Sequence, residues 1–333
     1  MKKLLALILP VLLACGPALG EGLVSLPEQR VITRGGIYRV RGSLEGGQLM
    51  IDCGEDEAVT LILEGVEIAS PSGPAIEAKK AGPLRIVLAS GSQNILRAGE
   101  GAKAALFSKP DLALEGTGAL SLEASGGHGI QGKREVTLGG GVTRIRAKKN
   151  GVKAGGALRI LGGSHLIEDS QEGLEGDRVL IAGGETDITA RDDGVNAAGA
   201  GDVDPRQQSD PGGENHWIRI SGGRLVIKAR GDGIDANGDL AITGGDIRIS
   251  GPVSGQDGAL DAHGEIAVSG GSLMAFGTAD EAEGARDAGQ SASLLALKNW
   301  VAGGQEVSVK NAAGESLLVF TPAYEWNSAA LSS

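Results

Sequence analysis

The chain has 333 residues, a net charge of −11 and 57 glycines, but only three Trp, two Tyr and three Phe. A core with so few aromatic residues has to stack Val, Ile, Leu and Ala in rows, which excludes an ordinary helical bundle and favours strands. The excess negative charge lies between Glu168 and Asp261, where 19 acidic residues accompany 8 basic ones, so the surface excludes nucleic acid as a partner and attracts cations.

Residues 1–20 are typical of a signal peptide. Lys2 and Lys3 precede the apolar run Leu4–Ala14, which is too short to span a bilayer as a permanent helix. Two processing routes are open: the motif ending at Cys15 resembles a lipobox, which would leave Cys15 lipidated and attached to a membrane, whereas Ala18–Gly20 suits an ordinary signal peptidase. Both routes predict an exported protein of the cell envelope or extracellular space, with residues 21–333 as a single domain.

Short apolar alternations bounded by Gly, Pro or Ser follow the leader, and each is typical of a strand. The first is predicted at Gln48–Asp52, and the next are Val59–Leu63, Leu84–Leu88, Leu112–Leu114 and Leu120–Leu122. No window shows sustained helical periodicity, so the sequence predicts an all-β fold.

Six segments then share one cue: a Gly is followed by an apolar residue and, about ten positions later, by a Gly-Gly pair. The key glycines are Gly129, Gly151, Gly173, Gly194, Gly233 and Gly258. The recurrence of this cue along the chain is a sequence repeat, and it predicts a solenoid in which each repeat is one coil. Apolar triplets occupy one equivalent position of the repeats and predict stacked parallel strands. These triplets begin at Leu158, Val179, Ile218, Leu240 and Ile266.

Two features interrupt the regular repeat. The long step between the fourth and fifth key glycines implies an insertion within residues 198–216, whose Gly, Pro, Asp and Gln content predicts a projecting loop. Near the C-terminus, Glu306–Val309 and Leu317–Phe320 flank the turn Asn311–Gly314. This pattern predicts a hairpin that caps the solenoid, since terminal repeats are often atypical.

Equivalent residues of stacked coils stand about 4.8 Å apart, so acids that recur with the repeat are expected to form rows. Alignment on the key glycines places the first row at Asn150, Glu172, Asp193, Asp232 and Asp257. The second row is Lys153, Glu175, Asn196 and Asp235, with Asp261 nearby because an extra residue shifts the last coil. Two parallel rows of oxygen ligands are therefore predicted.

Stacked carboxylates at this spacing repel by roughly 1 kcal/mol per pair in water, and a divalent cation removes that penalty. Carboxylates and the Asn196 amide oxygen are the ligands that calcium prefers, so calcium is the predicted ion. The richest segments carry Asp192, Asp193, Asn196, Asp232 and Asp235, and the remaining candidate ligands are Glu172, Glu175, Asp257 and Asp261. In the alternative interpretation, each Asp-Gly is an ordinary turn whose side chain bonds the local backbone.

With these residues in view, the chain resembles the secreted carbohydrate-binding domain family of right-handed parallel β-helices. The likeness runs from about Gly36 to the C-terminus, through GSLEGGQLMIDCGEDEAVTLILEGVEIAS, DDGVNAAG, GDGIDANGDLAITGG and GESLLVFTPAYEW. The resemblance implies a right-handed β-helix with calcium on its coils that binds acidic polysaccharide, such as polygalacturonate, and also cellulose. Calcium bridging to sugar carboxylates fits the composition better than stacking on scarce aromatic rings.

A second similarity, to a calcium-dependent pectate lyase family, rests on Asp192–Asn196 and Asn150–Gly156. In a lyase, Lys153 would be the base that removes a proton beside a calcium-bound uronate. However, Lys153 lies two repeats before the acidic turn, about 10 Å along the axis, and its neutralisation of Glu175 is the preferred interpretation. The predicted function is thus calcium-dependent binding with no catalytic residue. A polysaccharide lyase and a structural envelope protein stiffened by calcium are the alternatives.

Overall fold

The computed structural model describes residues 21–198, 216–255 and 257–333. Across these residues the chain is a parallel β-helix of about nine turns without α-helix, which confirms the predicted fold class. None of the described segments forms a helix long and apolar enough to cross a membrane. The predicted signal peptide with Cys15, and most of the predicted insertion at 198–216, lie outside the described residues.

Each coil contributes strands to three parallel sheets. The first sheet contains ten strands: β2 (Val31–Ile32), β4 (Leu49–Asp52), β6 (Ile76–Lys80), β9 (Ala104–Ser108), β12 (His128–Gly132), β15 (Val152–Ala154), β18 (Leu174–Glu175), β21 (Val195–Ala197), β23 (Ile234–Ala236) and β25 (Leu260–Ala262). The second contains β1 (Glu21–Leu26), β7 (Leu84–Leu88), β10 (Leu112–Gly116), β13 (Val136–Leu138), β16 (Ala157–Ile160), β19 (Arg178–Ile181) and β27 (Arg286–Asp287).

The third sheet contains β8 (Gln93–Ala98), β11 (Ala119–Ala124), β14 (Val142–Ala147), β17 (Ser164–Ser170) and β20 (Glu185–Ala190). Five longer strands bend from the second sheet into the third and join the two: β3 (Gly36–Glu45), β5 (Val59–Ser70), β22 (Trp217–Lys228), β24 (Leu240–Ser250) and β26 (Ile266–Gly277).

The interior is filled by apolar rows that run parallel to the helix axis. One row joins five residues in direct register, and all five are buried, as the sequence predicted: Leu158, Val179, Ile218, Leu240 and Ile266. The prediction that the first strand begins at Gln48 was wrong, because β1, β2 and β3 precede it. In β3 the buried Val40 and Leu44 alternate with charged and glycine residues, which dilutes the apolar signal.

The key glycines of the repeat are required by packing between coils. A Cβ on Gly173 would lie 2.5 Å from Ile188 Cγ2, inside the core, and closer still to the carbonyl oxygen of Gly194 on the next coil. Four further key glycines face the same pair of obstacles, an inner Ile and the carbonyl of the next coil: Gly129, Gly151, Gly194 and Gly233. In the last coil this position is occupied by Ala259, whose carbonyl accepts from Ile234 N, and not by Gly258 as predicted.

We expect Gly173→Ala to destabilise the protein by about 1–3 kcal/mol, the usual cost of overpacking a core. Urea unfolding followed by circular dichroism measures this loss. Gly101→Ala is the matched control, because a Cβ there meets its nearest atom at 3.7 Å. Equal stability of the two variants would contradict the packing explanation of the repeat.

A different arrangement ends the solenoid. The predicted C-terminal hairpin is confirmed as β29 (Val307–Lys310) and β30 (Ser316–Phe320), which pair antiparallel. Two further strands, β28 (Ala292–Val301) and β31 (Trp326–Ser332), also pair antiparallel, and β31 adds to the edge of β26 in the third sheet. Phe276 of β26 packs edge-on against Trp326, with 4.7 Å between ring centroids, so the cap has an apolar contact with the last coil.

Candidate metal site

A row of polar side chains crosses five strands of the first sheet. Its members are opposed residue by residue in the hydrogen-bonded register: Lys153, Glu175, Asn196, Asp235 and Asp261. The predicted second row is therefore found in register, and the extra residue of the last coil brings Asp261 directly opposite Asp235. Beyond Asp261, Glu283 of the following coil accepts a hydrogen bond from Ala262 N at 3.2 Å.

The first predicted row lies in the turns just before the same strands. Successive backbone hydrogen bonds of 2.9 Å tie the coils together here, from Gly151 N to Glu172 O, from Gly173 N to Asp193 O and from Gly194 N to Asp232 O. The row does not continue to Asp257, because Gly233 N donates to Gly258 O. The alignment on Gly258 was thus wrong by one residue, and Asp257 precedes the position that faces Asp232.

The two rows meet at three carboxylates from adjacent coils. Oxygens of Asp193, Asp232 and Asp235, here called the aspartate triad, all lie within 4.8 Å of one another. Asn196, only 7% exposed, donates from Nδ2 to Asp193 Oδ2 at 3.2 Å, while its own Oδ1 has no hydrogen-bond partner among the described residues. A buried acceptor without a donor is costly, so this oxygen is suited to a cation beside the triad.

Backbone contacts hold the triad in position. Asp193 Oδ1 accepts from Asp232 N at 2.8 Å, and Asp232 Oδ1 accepts from Gly258 N. Both bonds reach the backbone of the next coil and not the local turn, so they differ from the contacts that the ordinary turn interpretation predicts. Gly231 allows the close approach, because a Cβ there would lie 2.5 Å from Asp193 Oδ1 and 2.7 Å from Asp192 Oδ1.

The triad is electrostatically strained without a cation. Burial, with repulsion from neighbouring carboxylates, raises the pKa of Asp193 to about 6, that of Asp235 to about 7 and that of Asp232 to about 8. Burial and the charge of Glu175 likewise raise the pKa of Glu172 to about 8. Carboxyl groups with raised pKa values hold protons to a higher pH than ordinary ones do, and those that bind a divalent cation release their protons to it.

The N-terminal end of the rows is already neutralised by the protein. Lys153 Nζ lies 2.5 Å from Glu175 Oε1, as the preferred interpretation of this lysine predicted. Asn150 Nδ2 donates to Glu172 Oε2 at 3.1 Å and also to Glu175. The compact triad does not include Glu172 or Glu175, nor Asp192, whose Oδ2 accepts from Gln171 at 2.8 Å.

Sequence reasoning missed two contributors to this region. Glu283 follows β26 in a segment without the glycine cue, so no alignment placed it beside Asp261. Gly231 is visible in the sequence, because it stands immediately before Asp232. What the sequence does not reveal is its function, which is to leave space for two carboxylates from the preceding coil.

Comparisons with known proteins identify the family of the chain. A family model described as carbohydrate-binding domain-containing protein matches residues 28–282. A protein of the same description from Acetivibrio thermocellus is 30% identical over 138 residues, which cover 38% of this chain and 48% of that protein. The chain thus spans about half the length of this curated relative. A solved polysaccharide lyase-like protein from C. thermocellum, a gadolinium derivative, is 26% identical, covers 66% of this chain and 83% of its own, and superposes with a TM-score of 0.46.

Proposed function

Because the chain belongs to the carbohydrate-binding domain family, whose model spans residues 28–282, we propose that it is an exported protein that binds acidic polysaccharide through calcium. The observation that carries the calcium part is the aspartate triad with the unpartnered Asn196 oxygen beside it. Polygalacturonate-like chains are the proposed main ligand and cellulose a second one.

The donor set favours calcium over other common ions. Three carboxylates and an amide oxygen are hard ligands without any thiolate or imidazole, and calcium takes six to eight oxygens in flexible geometry. The triad supplies fewer than that, and Asp193 and Asp235 are partly exposed. A bound calcium ion would keep coordination positions that carboxylates and hydroxyls of a sugar can fill.

The surroundings of the site support an acidic ligand. A bare carboxylate-rich surface repels uronate, whereas a calcium ion placed between the two bridges them. Stacking on aromatic rings offers little here: Trp217 has Arg219 over its ring at 4.1 Å, and the exposed Trp300 belongs to β28 of the cap. Recognition through calcium therefore accounts for binding with few aromatic residues.

We expect immobilised polygalacturonate to retain the purified protein in calcium and to release it when a chelator is added. Retention on a glycan array, with and without chelator, measures this. Methyl-esterified polygalacturonate is the matched control and should retain little protein, because its carboxylates are blocked. Retention that is indifferent to the chelator would contradict the role of calcium, and no retention of any glycan would contradict the proposed function.

The same material separates the two alternatives. Lys153 is paired with Glu175, which disfavours a free basic amine and hence a lyase reaction. A lyase would generate unsaturated uronates that absorb in the ultraviolet, and Lys153→Ala would remove that signal. A structural envelope protein would gain thermal stability from calcium while retaining no glycan.

A further inference from the structure

A groove runs along the corner of the β-helix between the third and first sheets. It consists of two adjoining concavities of about 410 and 450 Å³, which share Glu123 and Ser125. From Glu45 at its N-terminal end to Arg191 at its other end, the groove crosses six coil steps. At about 4.8 Å per coil, it is about 29 Å long.

The floor of the groove is made of small residues at the ends of third-sheet strands, among them Ser70, Ala98, Ser125 and Ala147. Gly99 keeps the floor low, because a Cβ there would collide with the carbonyl oxygen of Pro71 on the preceding coil. Charged side chains stand along this floor, and the groove is open to solvent.

The charges alternate along the axis. Arg97, Glu123, Arg146 and Asp169 are opposed one after another in the strand register. Arg191 continues the pattern from the next coil, with Nε 3.3 Å from Asp169 Oδ1. Guanidinium groups therefore recur at every second coil, about 10 Å apart, with one carboxylate between each pair.

These side chains keep unused hydrogen-bonding capacity. Arg146 and Asp169 are 62% and 64% exposed. Arg97 bonds Glu67 through Nη1 at 2.6 Å and lies 3.3 Å from Glu123 through Nε, which leaves Nη2. Arg146 bonds Glu168 through Nε at 2.7 Å, which leaves both Nη groups, and Arg191 uses Nε and Nη2 on backbone carbonyls, which leaves Nη1. A guanidinium carries five N–H donors in a fork that matches a carboxylate, so the remaining Nη groups of each arginine can donate to a further anionic partner.

We propose that this groove binds the chain of a uronic-acid polysaccharide along the helix axis, an inference that rests on the proposed function and adds a second contact region to it. One sugar advances by about one coil, so successive residues of the polymer match successive coils. In a two-fold chain every second carboxylate faces the protein, where it meets Arg97, Arg146 or Arg191. The intervening Glu123 and Asp169 accept hydrogen bonds from sugar hydroxyls.

The groove leads to the candidate metal site. Arg191 is followed directly by Asp192 and Asp193, so a chain leaving the groove arrives at the aspartate triad. Calcium would anchor one end of the polymer, and the arginines would align the rest. Short fragments would bind at the metal alone, whereas longer ones would gain the groove contacts.

The test is the length dependence of binding, measured by titration calorimetry with calcium-loaded protein and galacturonate oligomers of two to six sugars. We expect affinity to rise up to about the hexamer in the wild type. In Arg97→Ala/Arg146→Ala, hexamer affinity should fall about tenfold or more, the scale of two charge-assisted contacts, while dimer affinity and calcium affinity stay unchanged.

Two further variants secure the interpretation. Ser125→Glu leaves the arginines in place but puts a carboxylate in the floor, and it should weaken hexamer binding in a fully folded protein. Arg85→Ala/Arg224→Ala removes the same charge from ion pairs with Glu115 and Asp187 outside the groove, and it should bind like the wild type. Unchanged hexamer binding in both groove variants, or a wild-type affinity that stops rising at the trimer, would overturn the groove while leaving the proposed function intact. A wild type that binds no oligomer would overturn both.

Discussion

Asp232→Asn/Asp235→Asn is expected to weaken calcium binding at the triad by about 100-fold or more and to abolish retention on polygalacturonate. The substitutions remove two of the three negative charges but keep the side-chain volumes and the oxygen that accepts from Gly258 N. A hard divalent cation depends on the charge of its oxygen ligands, so neutral amides hold it far less well. Calorimetric titration with calcium and glycan-array retention measure the two effects.

The matched control is Asp187→Asn/Asp246→Asn, which removes the same charge from third-sheet carboxylates that pair with Arg224 and Arg248. This variant should retain both calcium and polygalacturonate. If it loses binding to the same extent, the effect comes from overall charge and not from the triad. If the triad variant binds calcium as the wild type does, the site lies elsewhere.

The metal-free protein should become less stable as the pH rises from about 4 to about 8. The folded-state pKa values of Asp193, Asp235 and Asp232, about 6, 7 and 8, lie above the ordinary value of 3.8. Between the two limits the native state holds protons that the unfolded chain has lost, so the free energy of unfolding falls with increasing pH. Thermal melts in chelator at pH 5, 6, 7 and 8 should show a steady drop in Tm.

Calcium should reverse this trend, because the ion binds the deprotonated triad and stabilises the native state more strongly as protons leave. In Asp232→Asn/Asp235→Asn the metal-free drop should be shallower and the gain from calcium small. A wild-type Tm in chelator that rises steadily from pH 5 to 8 would show that the carboxylates ionise without penalty, contrary to their burial.

The interior of the solenoid was predictable because it obeys one strong rule. Inward positions must be apolar and must recur with the coil, so the rows through Leu158 and Ile266 and the ligand row through Glu175 and Asp235 followed from spacing alone. The key glycine was detectable for the same reason, since each coil excludes a Cβ at that point.

What the sequence did not predict depends on local geometry that spacing does not encode. The last coil is one residue longer before its strand, so Gly258 rather than Asp257 faces Asp232. Of nine candidate ligands only Asp193, Asp232 and Asp235 form the compact triad, because side-chain direction and existing partners decide which oxygens converge. The groove had no signal at all, since its small floor residues become neighbours only when coils stack.

The triad joins consecutive coils, with Asp193 on one and Asp232 and Asp235 on the next. A solenoid pulled from its C-terminus peels away turn by turn, and each turn resists only through contacts with its neighbour. An ion shared across this junction would raise the force needed to separate the two coils, so unfolding from the C-terminus would pause there. The coils on its N-terminal side, including the arginine-lined groove, would stay folded while a bound polymer was under tension.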